Sequence, residues 1–238
     1  MCENKRDKKY RKPIDVTEKH VLDYWKKINN DRLISDLAEK LTAVYNRLAQ
    51  NDSGSDQDSY QQSYSYLRSY GENCCKREQY IVLSHAVYGW MPTVLEIDYN
   101  SIGCIENAIN HFKDFDFTDL KDEDIRCLRT VAKFTNNSFV GASKLLHFIF
   151  PNKFAIWDST ILKVLESEKI NYSFNQKQTF FQKSGANLMT NFWGYQFIMH
   201  KTLQQINMKS EQPVSLRDIE KTLFYSIPEK ERAKCKDK

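Results

Sequence analysis

Glycine and proline are scarce, at 7 and 5 residues in a chain of 238. So few turn formers argue against a sandwich or barrel made of many short strands, and they favour long helices. No apolar run approaches the ~20 residues that a membrane span needs. The opening MCENKRDKKYRKP is basic, with no apolar segment behind it, so no membrane association is expected and a cytoplasmic location is. The six cysteines, at 2, 74, 75, 104, 127 and 235, match no C-x2-C zinc spacing and no iron–sulfur spacing. A reduced chain with no metal and no cofactor is the expectation.

A strong charge of one sign is also missing. The formal net charge is +4, and it sits at the ends. Residues 1–12 carry +4 and residues 229–238 carry +2, which leaves −2 on everything between. Net charge alone therefore gives weak support for a nucleic-acid partner.

What the chain does have is aromatic and apolar content: 14 Phe, 13 Tyr and 4 Trp, within a 41% hydrophobic composition. That is enough for a core, and the length suits one domain with a smaller extension. The pattern reads as all-α. Residues 1–15 form a basic arm, 16–50 an N-terminal helical segment, 51–75 a polar linker or loop, 76–228 the main helical domain and 229–238 a charged tail. Within 16–50, Leu33, Ile34, Leu37, Leu41 and Val44 make an apolar stripe, suited to the main body or to a protein partner. The pattern does not set an oligomeric state.

In the main domain, a helix is expected from Arg77, interrupted at Gly89 and Pro92, and a second from Ser101 to about Phe112. Asp122, Glu123 and Asp124 suit the N-terminus of a third. Asn136–Asn137–Ser138 then reads as a break and a cap. A long helix or two should follow Gln176, and Ser215 to Ser226 reads as a terminal helix, with Ser215 and Asp218 at capping-box spacing.

The densest apolar stretch runs from Phe139 to Leu165, FVGASKLLHFIFPNKFAIWDSTILKVL. Two charges stand out in it. Lys144 falls in the second turn of a helix capped by Ser138. Near the positive end of the dipole, and partly buried, it would tend towards the neutral amine, a nucleophile able to form a Schiff base. The structural alternative is that its stem lies along Phe and Leu and its charge reaches water. Asp158 precedes the next helix. It suits an N-cap, and a capping carboxylate facing a cleft could also stabilise a developing cationic sugar or activate a water. His147 shares a face with Lys144 and reads as a satisfied helix histidine.

These residues resemble the core of the helix–hairpin–helix DNA glycosylases. The likeness lies in Gly141-Ala-Ser-Lys144, an apolar helix, a Pro turn, and then Phe154-Ala-Ile-Trp-Asp158. The family's hairpin reads Leu-Pro-Gly-Val-Gly where this chain has Asn137-Ser-Phe-Val-Gly141. The resemblance implies an all-α glycosylase-like fold and cleavage of the N-glycosidic bond of a damaged or unusual base in double-stranded DNA, with lyase chemistry where the lysine takes part. It implies catalytic roles for Lys144 and Asp158. It puts Gly141, Ser143 and Lys153 at the nucleic acid, and Trp90 and Trp157 in the lining of a pocket for an extruded base. Two other readings stand beside it: a non-enzymatic helical scaffold, and a nucleic-acid accessory protein using the basic arm.

Overall fold

The computed structural model describes residues 18–28, 31–50, 59–90, 94–117, 119–171, 180–181 and 188–227. The expected arm at 1–15, the tail at 229–238 and residues 51–58 of the expected linker lie outside them.

The described residues form an all-helical protein, with no strand among them. Its helices are α1 (Glu18–Ile28), α2 (Asp31–Ala49), α3 (Ser59–Glu72), α4 (Arg77–Trp90), α5 (Tyr99–Ile102), α6 (Ile105–His111), α7 (Asp122–Phe134), α8 (Phe139–Ile149), α9 (Ser159–Ser167), α10 (Met189–Asn207) and α11 (Leu216–Tyr225). None is long and apolar enough to cross a membrane.

One core runs from Val21 in α1 to Leu223 in α11. The stripe Leu33, Ile34, Leu37, Leu41 and Val44 is buried, and α2 lies against α10 more extensively than any other helix pair. Thr42 and Gln205 bond across this contact at 3.2 Å, and the Trp25 ring stands 3.9 Å from that of Phe197. The apolar face that could have served an external partner is thus used within the chain.

Three local expectations change. The Tyr/Ser/Gln stretch does not run as loop from 59 onward, because it forms α3. Its Tyr64 is buried, and Gly71 lets the α3 backbone approach α8 so closely that a Cβ there would stand 2.2 Å from the Phe148 carbonyl oxygen. Gly89 does not interrupt α4, which runs through it to Trp90. The single helix expected over 101–112 is two, α5 and α6, divided at Gly103–Cys104.

The caps follow the sequence more closely. α7 begins at Asp122, and Asp124 accepts from the Lys121 N–H at 2.6 Å. The Ser138 hydroxyl accepts from the Gly141 N–H at 3.1 Å. Ser215 and Asp218 form a reciprocal capping box. Between α7 and α8 the chain reverses through two successive left-handed residues, Asn136 (φ 56°) and Asn137 (φ 52°), a conformation asparagine tolerates better than most side chains.

A buried polar centre at the starts of two helices

Residues 154–157, between α8 and α9, belong to no helix, and all four are buried. Non-helical backbone in an apolar interior needs hydrogen-bond partners. Side chains of the flanking helices provide them. Gln196 of α10 accepts from the Ala155 N–H at 2.9 Å and donates to the Ala155 carbonyl at 2.8 Å. Ser143 of α8 accepts from the Trp157 N–H at 3.0 Å, and its hydroxyl proton lies between the carbonyls of Trp157 (3.0 Å) and Val140 (2.8 Å). His147 bonds the Phe154 carbonyl through Nδ1 at 2.6 Å.

A carbonyl only accepts, so His147 carries its proton on Nδ1 and its Nε2 accepts from the Tyr64 hydroxyl at 2.6 Å. Burial disfavours the charged ring and drives its pKa down to about 3, with Arg217 adding to the effect. The sequence expectation of a satisfied helix histidine is what the geometry shows.

This clamp delivers Asp158 to the start of α9. Its Oδ1 accepts from the N–H groups of Thr160 (2.9 Å) and Ile161 (3.0 Å), as an N-cap should. Its Oδ2 lies 3.8 Å from Lys144 Nζ, and both side chains are only 13% exposed. The lysine therefore neither projects into water nor stands isolated in apolar surroundings: it faces a carboxylate. Fourteen residues apart in sequence, the two groups meet because α8 and α9 are joined by the buried segment that Ser143, His147 and Gln196 hold in place.

A second charged pair adjoins the first. On α11, Arg217 pairs with Glu220, whose residue is 2% exposed. Burial raises the Glu220 carboxyl, Arg217 opposes that rise, and Asp158 and Lys144 act on it as well. The Arg217 guanidinium also lies 4.4 Å from the centre of the Tyr64 ring. Tyr195 of α10 comes alongside with its ring 5.0 Å from that of Trp157, and its hydroxyl is buried without a partner among the described residues. Sequence reading missed Arg217, Glu220, Tyr195 and Tyr64. The one available signal was the pair of opposite charges three apart in SLRDIEKTLFYS, a spacing equally common on solvated helix faces.

No known protein family, curated protein or solved structure matches this chain.

The other expected site residues are placed differently. Gly141 does not present its amide to a phosphate, because that N–H is taken by Ser138. Its missing side chain leaves room for Tyr88, whose hydroxyl donates to the Thr135 carbonyl at 2.9 Å; a Cβ would stand 2.2 Å from that hydroxyl. Ser143 is fully buried and bonded to Trp157, out of reach of a nucleic acid. Lys153 is half-buried at the edge of a surface groove, where its ammonium donates to the carbonyls of Phe112 (3.4 Å), Lys113 and Phe115 (3.2 Å) at the end of α6. Trp157 has no exposed surface and stacks with Phe181 at 6.0 Å, so it is core. Trp90 is partly buried, edge-on to Phe148 at 5.4 Å.

Away from the centre, a groove of about 530 Å³ runs between α2, α10 and the turn after α6, lined by Phe115, Phe117, Phe197, His200, Lys201 and Asp31, among others. Neither Lys144 nor Asp158 lines it. Among the described residues, no group of His, Cys, Asp and Glu could hold a metal ion.

Proposed function

We propose that the protein is a glycosylase-like enzyme that hydrolyses the N-glycosidic bond of a damaged or unusual base in double-stranded DNA, with Lys144 and Asp158 as its reactive pair. The observation that carries this reading is their 3.8 Å approach at the starts of two helices, in a centre almost closed to solvent. Charges buried in that way are costly for stability alone, and they gather where chemistry is done.

In this reading Asp158 has a division of labour. Oδ1 is fixed by the α9 amides, and Oδ2 is turned towards the reacting sugar. As the base departs with its bonding electrons, positive charge grows at C1′, and the carboxylate stabilises it. A water then adds to C1′ and gives its proton to Asp158, while the leaving base takes up a proton. Where Lys144 attacks instead, its ammonium first gives a proton to Asp158, the freed amine bonds to C1′ as the base leaves with the bonding electrons, the ring opens with O4′ taking up a proton, and an iminium remains that borohydride reduces to a permanent link.

A second reading is a non-enzymatic helical scaffold in which Asp158 serves only as a cap. The two N–H bonds to Oδ1 favour it. The deciding experiment is borohydride trapping and base release on a duplex panel with abasic, oxidised and deaminated sites. The expectation is an adduct that Lys144→Ala abolishes, and base release that Asp158→Asn lowers by about 100-fold or more. Asparagine caps helices well, so Asp158→Asn should keep the fold. A wild type that neither traps nor releases on any duplex, and binds none more tightly than an unrelated protein of similar charge, makes the scaffold the better description.

A further inference from the structure

The groove between α2, α10 and the turn after α6 lies apart from the Lys144–Asp158 pair, and its volume of about 530 Å³ falls in the range that takes a small ligand. Its wall is aromatic. The Phe117 ring lies flat on His200, with centroids 4.0 Å apart, and meets Phe115 and Phe197 edge-on at 4.7 and 5.6 Å. Phe115 and Phe197 are buried, whereas Phe117 and His200 keep part of their surface. The His200 ring is held in place, because Nε2 donates to the Lys153 carbonyl at 2.7 Å. Burial lowers its pKa, so at neutral pH the ring is uncharged.

The polar lining narrows the ligand class. The Lys153 ammonium is already directed at the carbonyls of Phe112, Lys113 and Phe115. Lys153 and Lys201 are balanced by Asp31 and Asp116, so the lining has no excess positive charge to draw in a phosphate. What remains is a mixed set: Lys201 donates, Asp31 accepts, and Gln204 does both. A stacking wall with donors and acceptors and no charge excess suits a flat, uncharged heteroaromatic ring, whose face stacks and whose edge hydrogen-bonds.

We propose that this groove binds an uncharged heterocycle of the nucleobase class, as the free base or nucleoside, with its face on Phe117 and its edge towards Lys201, Gln204 and Asp31. The assignment does not rest on the glycosylase reading, since neither Lys144 nor Asp158 lines the groove. It stands or falls on binding, whatever the duplex assays return.

The test is a ligand-observed NMR titration of the full chain with adenosine, cytidine, uridine, AMP and phenol, for the wild type and Phe117→Leu. Phe117 is half-buried in a turn, and leucine keeps apolar bulk there while removing the aromatic face, so the variant should fold. At least one nucleoside is expected to bind with a Kd of about 5 mM or tighter, and Phe117→Leu should weaken it by about 5-fold or more. AMP should bind no tighter than adenosine, and phenol more weakly than the nucleoside. No nucleoside binding in that range overturns the assignment. Binding that Phe117→Leu leaves intact lies elsewhere, the Lys144–Asp158 centre included, and overturns it too. AMP binding more than about 5-fold tighter than adenosine would make this an anion site, and phenol binding as tightly as the nucleoside would make it a plain apolar surface; either result also overturns it.

Discussion

His147 should make the protein lose stability in mild acid. The ring has no exposed surface, donates through Nδ1 to Phe154 and accepts through Nε2 from Tyr64. A second ring proton would bury a positive charge in the core beside Arg217 and force the Tyr64 hydroxyl to turn and accept. The folded state therefore holds the ring neutral down to about pH 3, whereas the unfolded chain takes up a proton below about 6.5. The resulting stability is fully present above the unfolded value and drains away as pH falls towards the folded one. Linkage puts the loss at about 2 kcal/mol by pH 5 and at roughly 5 kcal/mol at the acid limit. His200 contributes in the same direction, since burial lowers it too. Glu220 opposes them, because burial raises its carboxyl and favours the folded state at lower pH. The clean quantity is thus the difference between wild type and His147→Gln, which cannot titrate. Urea unfolding followed by helical circular dichroism at pH 7.5 and pH 5 measures it. Replacing the ring should cost roughly 1–3 kcal/mol at pH 7.5, and the variant should then lose about 2 kcal/mol less than the wild type on going to pH 5. Equal losses in the two proteins would refute the buried neutral ring.

Two further substitutions test the packing that presents the pair. Ser143→Ala removes the buried hydrogen bonds to the Trp157 N–H and carbonyl, so it should lower unfolding free energy by about 1–3 kcal/mol; a neutral result in urea denaturation would mean that Ser143 does not clamp the segment leading to Asp158. Gly71→Ala drives a methyl against the α8 backbone at Phe148 and should cost about 1–3 kcal/mol. A melting temperature within 2 °C of the wild type, against the ~2–4 °C expected per kcal/mol for a domain of this size, would refute the close approach of α3 and α8.

The sequence by itself determined the helical class, because scarce glycine and proline and a 3.6-residue apolar rhythm depend on local chemistry alone. For the same reason it located the caps at Ser138, Asp158 and Ser215, each a short side chain accepting from an amide two or three residues ahead. It also singled out Lys144 and Asp158, two charges in an apolar stretch. It did not show what Ser143, Gly141 and Lys153 meet within the fold, since a small or charged residue near a helix start reads alike whether it meets a ligand or a neighbouring segment. Ser143 meets Trp157, Gly141 yields to Tyr88, and Lys153 closes the end of α6. It misjudged α3 because a tyrosine-rich polar stretch has little apolar periodicity, and Tyr64 gains its burial only by reaching His147 on α8. Only the tertiary structure decided that Lys144 and Asp158 would meet, that Arg217 and Glu220 would pair on α11 within reach of their charge, and that Tyr195 would pack on Trp157. Those arrangements depend on how distant helices cross a core, and the path of the buried segment 154–157 helps to set them.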